Sequence, residues 1–348
     1  MSSSDVTLSA VHWLVAAPPP TGPFDGIASF SRGLAAAISA TEPAELVFSH
    51  AEVADHAEIL GVFLQYYPNA FVTPALPRLL SQMSRLRARG VPIVTTVHEY
   101  WPPPSKSLKR AVWRRLCKRA LKAVAARSSV VIATTPYAAG HLANAGIAPA
   151  SHFAVIPVPT NIPPVTPHVP SGQVVVMFGQ PHVLDRAVVL GLAHWMKTQS
   201  PRPRWIWIAR SVDEMKQWWR DIGAPDVVEF HGEIADVAVS GLIAQGSVGL
   251  GLYDDGVSTR RGSLAALLAH GLPIAGLDGR YTDGRLRNSG AFLLSPLLDA
   301  PALIANLQRL LNDDQLRSSL ASAAARLHAS EFTWPRVAEQ YLAAVKKK

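Results

Sequence analysis

The sequence predicts an α/β protein of two doubly wound domains, each a parallel sheet covered by helices on both faces, with a cleft between them. Three observations predict it. Short apolar runs rich in β-branched residues alternate with helix-period stretches along the chain, as successive strand-helix-strand units do. The runs are almost continuously apolar, as strands buried on both faces must be. The alternation breaks once, at the proline-rich stretch VPTNIPPVTPHVPSG around Pro170, and then restarts. A length of 348 residues fits two domains of about 150 residues each.

Before the break, strands are expected in VTLSAVHWLVAA, ELVFS, ILGVFLQY, PIVTTV, SVVIAT and FAVIPV, which combine β-branched residues with flanking turn formers. Between them lie IASFSRGLAAAIS, LPRLLSQMSRLRARG, the basic stretch SLKRAVWRRLCKRALKAVAAR, and PYAAGHLANAG, the last closed by Gly146 as a C-cap. After the break the strands are QVVVMF, RWIWIA, VVEFH, SVGLGL, LPIAGL and AFLLS. The helices there are VVLGLAHWMKT, VDEMKQWWRDIG, VAVSGLIAQ, SLAALLAHG and PALIANLQRLLND. The two domains are placed at residues 1–165 and 171–330.

Composition narrows the class. With 49% hydrophobic and 17% charged residues the chain buries a sizeable core and is neither disordered nor fibrous. A single cysteine, Cys117, excludes an internal disulfide framework and a cysteine-based zinc site. The apolar run Val6 to Ala17 follows Asp5 and no basic residue, so it does not read as a secretory leader and is too short to span a bilayer. A cytoplasmic location is expected.

The formal net charge of +8 invites a nucleic-acid, membrane or phosphate partner, and its distribution ranks them. Fourteen basic and eight acidic residues precede Pro170; thirteen of those fourteen lie between Leu76 and Ser128, where Glu99 is the one acid. In the densest part, Lys109, Arg110, Arg114, Arg115, Lys118, Arg119 and Lys122 accompany Leu108, Val112, Leu116, Ala120 and Val124, an apolar residue at every fourth position. That spacing predicts a helix docked on its own domain through the apolar stripe, with a cationic remainder. An ordinary solvated helix mixes signs for i,i+4 pairing. A run without acids suits anionic lipid headgroups, to which each Lys or Arg near the surface contributes about 1 kcal/mol. Nucleic acid is the least favoured partner.

Ligands of such sheets bind beyond the carboxyl ends of strands, against glycine turns and helix N-termini, and four loops there carry chemistry. In PPPTGPFDGIASF, Gly26 opens a helix and aims its amide and that of Ile27 at an anion; the loop lacks the spaced glycines of a dinucleotide fingerprint, and a plain turn is the alternative. In PIVTTVHEYWPPP, His98 and Glu99 end a strand. An imidazole there can donate to a sugar hydroxyl or phosphate near neutral pH, or simply be structural. In VVVMFGQPHVLDRAVV, Gly179 and Arg186 bracket a helix start, which suits a diphosphate unless Arg186 is a surface arginine beside Asp185. The fourth, GLYDDGVSTRRGSLAALLAHGLPIAG, brings Ser258, Arg260, Arg261, Gly262 and Ser263 to a helix mouth. Two guanidiniums, hydroxyls and free amides are what a diphosphate requires. Asp254 and Asp255 are expected to orient the arginines, and a structural ion-pair cluster is the alternative.

Taken in order, these loops, together with FLQYYPNAF, ATTPYAAGHL, IPVPTNIPP, VEFHGEI and FTWPRVAEQYLAAV, resemble a family-four-type glycosyltransferase of GT-B fold over nearly the whole chain. The resemblance implies two Rossmann-like domains, the N-terminal for the acceptor and the C-terminal for a nucleoside diphosphate-sugar. It also implies a terminal helix at 331–348 crossing back to the N-terminal domain, and transfer without a metal or other cofactor. Carried over by position, His98 matches the histidine against the transferred sugar and Arg186 the cation that grips the diphosphate. Gln180 stands where an arginine is usual, and Ser258 and Ala266 where the family has paired glutamates. Arg260 and Arg261 add two cations that offset the missing arginine.

The function expected is transfer of a sugar to a glycan or lipid-linked acceptor in polysaccharide or glycolipid biosynthesis, at the inner face of the cytoplasmic membrane. The two carboxylates of a hydrolase are not found at a fixed spacing. A non-catalytic nucleotide-sugar-binding scaffold and a GT-B-type epimerase, with Glu99 and Asp255 as its carboxylates, are the alternatives.

Overall fold

The computed structural model describes residues 11–22, 25–49, 53, 58–71, 75–165, 172–180 and 186–346. The chain forms two units, one holding the residues up to Ile156 and from Trp334 onward, the other Pro157–Thr333. Pro170 and Asp185 lie outside the described residues. Pro157 to Val165 belong with the second unit: the Val158 amide donates to the Thr259 carbonyl at 2.8 Å, and the Ser240 hydroxyl donates to the Pro163 carbonyl.

In the first unit, β1 (His12–Ala16), α1 (Gly26–Ser39), β2 (Ala44–Val47), β3 (Ile59–Tyr66), the short α2 (Pro68–Phe71), α3 (Ala75–Ala88), β4 (Ile93–Val97), α4 (Leu108–Ala125), β5 (Val130–Ala133), α5 (Pro136–Asn144) and β6 (Phe153–Val155) follow in order. The strands form one parallel sheet ordered β2-β1-β3-β4-β5-β6. Every residue of β4 and β5 is buried, as the nearly continuous apolar runs predict. The order reverses between β1 and β3, so the loops after those strands flank the position where such sheets hold ligands.

The second unit runs β7 (Val174–Phe178), α6 (Arg186–Thr198), β8 (Arg204–Ile208), α7 (Val212–Asp221), β9 (Val228–His231), α8 (Asp236–Ile243), β10 (Val248–Gly251), α9 (Gly262–Ala269), β11 (Ile274–Asp278), α10 (Gly284–Asn288), β12 (Phe292–Pro296), α11 (Ala300–Asn312) and α12 (Asp314–Leu327). Its parallel sheet is ordered β12-β11-β10-β7-β8-β9. With the strands renumbered from the reversal between β7 and β10, this is the doubly wound arrangement of dinucleotide-binding sheets. Trp205 and Trp207, two residues apart on β8 and so on one face, lie parallel with centroids 5.9 Å apart, and Trp219 of α7 meets both edge-on.

Helix α12 is an element the sequence reading leaves out. Asp313 ends α11 and caps α12, accepting from the Leu316 amide at 2.8 Å. The buried side of α12 is Leu320, Ala323, Ala324 and Leu327, and alanines give such a face little periodic contrast.

The last helix, α13 (Trp334–Lys346), packs on the first unit, as predicted. Gly33 of α1 makes this possible: a Cβ there would lie 2.1 Å from the Trp334 ring. Phe30 touches Trp334 at 5.4 Å between centroids, and the Tyr341 hydroxyl shares a 2.8 Å hydrogen bond with Thr96 of β4. Gly33→Val is expected to cost about 1–3 kcal/mol by overpacking, read as a lower urea midpoint. Adding Trp334→Ala should recover part of the loss; an unchanged midpoint for the single variant would contradict this docking.

Candidate functional site

In the second unit the loops after β7 and β10 meet at the reversal point. Gly179 follows β7 with φ +118°, and a Cβ there would stand 3.0 Å from Ser263 Oγ. Both the backbone conformation and the close approach require glycine. After β10, Tyr253 is buried, its hydroxyl 3.2 Å from Ser263 Oγ. Gly256, at φ +89°, brings the loop backbone against Gly279 after β11, where a Cβ would fall 2.3 Å from the Gly279 nitrogen.

Asp255 anchors the arginine pair. Its carboxylate is buried and takes Arg261 Nη2 at 2.6 Å on Oδ1 and Arg260 Nη2 at 3.3 Å on Oδ2. The Arg261 guanidinium lies 4.2 Å from the Tyr253 ring centroid, and that of Arg260 lies 4.7 Å from Tyr281. The Arg261 side chain is 11% exposed and the Arg260 side chain 35%. Asp254, more exposed, stands 3.9 Å from Arg261. The pair therefore brings directed donors rather than surplus charge, because the aspartates balance it. Arg261 Nε is buried without a partner among the described residues, a donor whose desolvation costs about 1–3 kcal/mol while unmet. Helix α9 begins here with Arg261 at its N-cap and no side chain capping it, so the first amides keep their donor capacity.

The remaining residues predicted for this site divide. Gly262 and Ser263 stand at the mouth of α9 beside Gly179, Arg260 and Arg261. Ser258 is fully buried, its hydroxyl unpartnered among the described residues, and Ala266 lies in the core. Arg186, exposed at the start of α6, donates from Nη2 to the Ile222 carbonyl at 3.1 Å, and no contact joins it to the arginine pair among the described residues.

In the first unit the expectation for the start of α1 is corrected. Asp25 caps the helix: Oδ1 accepts from the amides of Ile27 and Ala28, both at 2.9 Å, and Oδ2 from the Thr21 amide and hydroxyl. The Ile27 amide is thus taken by the chain itself; Gly26 has open space where a Cβ would be. Burial pushes the Asp25 carboxyl up, but these hydrogen bonds outweigh it and hold it below the usual range.

His98 follows β4, its amide bonded to the Tyr66 carbonyl at 3.2 Å. Its Nε2 lies 2.9 Å from Gln65 Oε1 of β3, and Phe30 meets the ring edge-on at 5.1 Å. Burial lowers its pKa to about 4, against an opposing pull from Asp25. The imidazole is therefore neutral near pH 7, with one ring nitrogen a donor and the other an acceptor. Gln65 is a contributor the sequence reading misses; its one signal is a buried polar residue in an otherwise apolar strand. Glu99 is exposed.

The basic helix brings the largest correction. Its buried side is Cys117, Ala120, Leu121, Val124 and Ala125, while Leu108, Val112 and Leu116 are 80%, 45% and 43% exposed. Residues four apart on an α-helix differ by about 40° in direction, so a stripe at that spacing starts in solvent and finishes in the core. The outer face thus joins Leu108, Val112 and Leu116 to the exposed Lys109, Arg115, Arg119 and Lys122. Arg110 is exposed near the helix start, on the side that Cys117 and Leu121 bury further along. Arg114 and Lys118 are half-buried, with Lys118 Nζ 4.8 Å from the Trp101 centroid. Among the described residues no helix is long and apolar enough to cross a membrane, and no three His, Cys, Asp or Glu side chains gather as a metal site needs.

Residues 65–162 match the sequence pattern of Glycosyltransferase Family 4. No curated protein matches the chain by sequence. Among solved structures, Anabaena Alr3699/HepE in complex with UDP and glucose is similar at a TM-score of 0.67 and 15% identity, over 97% of this chain and 100% of that one. A glycosyltransferase from Rickettsia africae gives 0.68 at 11% identity, over 97% and 98%. A sucrose-phosphate synthase from Thermosynechococcus elongatus gives 0.63 at 16%, over 97% and 99%. These likenesses establish the fold: two Rossmann-like units with the terminal helix on the first, the GT-B fold.

Asp255→Asn, which leaves two guanidiniums without their buried counter-charge, is expected to cost about 3 kcal/mol of stability, whereas Asp254→Asn should stay within about 0.5 kcal/mol. Thermal unfolding compares them directly. Equal losses would remove Asp255 from the centre of the cluster.

Proposed function

We propose that the protein is a glycosyltransferase that takes a sugar from a nucleoside diphosphate-sugar and passes it to a glycan or lipid-linked acceptor in polysaccharide or glycolipid biosynthesis. One observation carries the reading: Arg260, Arg261, the uncapped α9 amides, Ser263 and the bare backbone of Gly179 converge where a doubly wound sheet holds a phosphorylated ligand. Similar structures holding UDP, or UDP and glucose, lend support. In this reading residues 171–330 bind the donor, residues 1–165 face the acceptor, and the chain from 331 onward is the returning helix.

The mechanism is electrostatic. As the glycosidic bond loosens, negative charge grows on the leaving diphosphate, and donors already fixed in place stabilise it without reorganising. The arginines supply aimed N–H donors, their charge being balanced by Asp254 and Asp255. His98 lies at the sugar and accepts rather than donates. An epimerase would need free carboxylates to move protons, and Asp255 is committed to two guanidiniums, so transfer is the better reading. A non-catalytic scaffold would use the same donor site, and turnover separates the two.

UDP-glucose and related nucleotide-sugars should raise the melting temperature of the protein. Arg261→Ala should abolish that stabilisation, read against the melting temperature of the variant alone. His98→Ala should keep it and lose the release of nucleoside diphosphate when lipid-linked glycan is supplied. The reverse pattern would refute the two assignments, and binding without release across a broad acceptor panel would favour the scaffold.

The outer face of α4 completes the proposal as the contact with anionic lipid at the inner face of the cytoplasmic membrane. Apolar side chains flanked by cations lie in the headgroup region, Lys and Arg keeping their charged ends among the phosphates. Reversing Lys109, Arg115, Arg119 and Lys122 to Glu should weaken partitioning onto phosphatidylglycerol vesicles by about 4 kcal/mol, roughly a thousandfold. Unchanged co-sedimentation would exclude the membrane contact.

A further inference from the structure

Gln65 is wholly buried at the end of β3, one strand from His98. Its amide orientation is set by its two neighbours. One terminal atom lies 3.4 Å from the Phe63 carbonyl oxygen, where only the NH2 end is compatible. The carbonyl oxygen Oε1 is therefore the atom 2.9 Å from His98 Nε2. An acceptor at that distance requires a proton on Nε2. A neutral imidazole carries one ring N–H, so Nδ1 holds a lone pair.

We propose that Gln65 is a positioning residue that fixes the tautomer of His98, so that the ring presents Nδ1 as a hydrogen-bond acceptor for a sugar hydroxyl. This rests on the reading that places His98 at the sugar. The backbone holds the pair in register, with Gln65 opposite Thr96 and the His98 amide on the Tyr66 carbonyl. Phe30 fixes the ring from the side. The charged or titratable groups around it are the Asp25 carboxylate, already saturated by the helix cap, Glu99, next in the chain and exposed, and the buried Tyr66 on β3. Among the described residues Nδ1 has no hydrogen-bond partner. The resulting specificity is for a hydroxyl that donates, and a substrate lacking that hydroxyl leaves Nδ1 unmet.

The test is the ring-nitrogen NMR spectrum of the full chain labelled with 15N-histidine, with His98→Gln identifying the His98 signals. The wild type should show the neutral Nε2–H tautomer, unchanged from pH 8 to pH 5.5. Gln65→Met should lose that tautomer and lower turnover of UDP-glucose, or of whichever nucleotide-sugar proves active, by about ten- to a hundredfold, with donor-dependent thermal stabilisation kept. Gln65→Glu, which retains an acceptor, should keep the Nε2–H and move the His98 midpoint upward into the observed range. An Nδ1–H tautomer in the wild type overturns the proposal. So does a Gln65→Met protein whose tautomer and turnover match the wild type. Failure of every nucleotide-sugar to turn over would sink the transferase reading and leave the tautomer result standing.

Discussion

The second unit's site depends on the buried carboxylate of Asp255. Two guanidiniums packed on tyrosine rings at the end of a parallel sheet would be too costly to desolvate alone. Shared between them, one carboxylate makes the arrangement stable and sets where each planar fork points. The same residue holds the loop in place, because its carbonyl accepts the Tyr281 amide at 3.1 Å and the next residue, Gly256, touches the loop after β11. The cations are therefore placed before any ligand arrives, which is the condition for electrostatic stabilisation to act on a transition state rather than to be absorbed by rearrangement. The cost is net charge: in the proposed reading, affinity for a phosphate comes from directed donors rather than from surplus positive charge.

The fold was legible because its signals are local and repeated. A strand forms at each of the twelve predicted runs, and the central ones, such as β4, β5 and β10, are buried along their whole length, where nearly continuous apolar sequence is required. Gly179 and the Arg260–Arg261 pair were legible too, as a glycine after a strand and cations at a helix mouth. What was not legible depends on direction or on partners distant in sequence. The stripe Leu108, Val112, Leu116, Ala120 and Val124 has the right spacing for a helix, but spacing alone does not say which part of a drifting stripe faces inward; Cys117, Leu121 and Ala125 take the inner face. The hydrogen bond from Arg186 to the Ile222 carbonyl, 36 residues away, is one that no local pattern announces. Gln65 lies 33 residues from His98, and only the pairing of β3 with β4 brings them together.

The two units differ in electrical character, and the difference bears on mechanism. In the first, the carboxylate at the start of α1 is consumed by four donors, and the half-buried histidine after β4 is held toward its neutral form by desolvation, against the pull of Asp25. The cationic helix α4 carries most of its charge on exposed side chains. In the second unit full charges are held close together but balanced. A reaction run through proton transfer would want the opposite design, with groups whose protonation changes easily near neutral pH. A reaction whose barrier is the growth of charge on a leaving diphosphate, as proposed above, wants fixed cations and fixed amides. Within the second unit, Arg260, Arg261 and the uncapped start of α9 are groups of that kind.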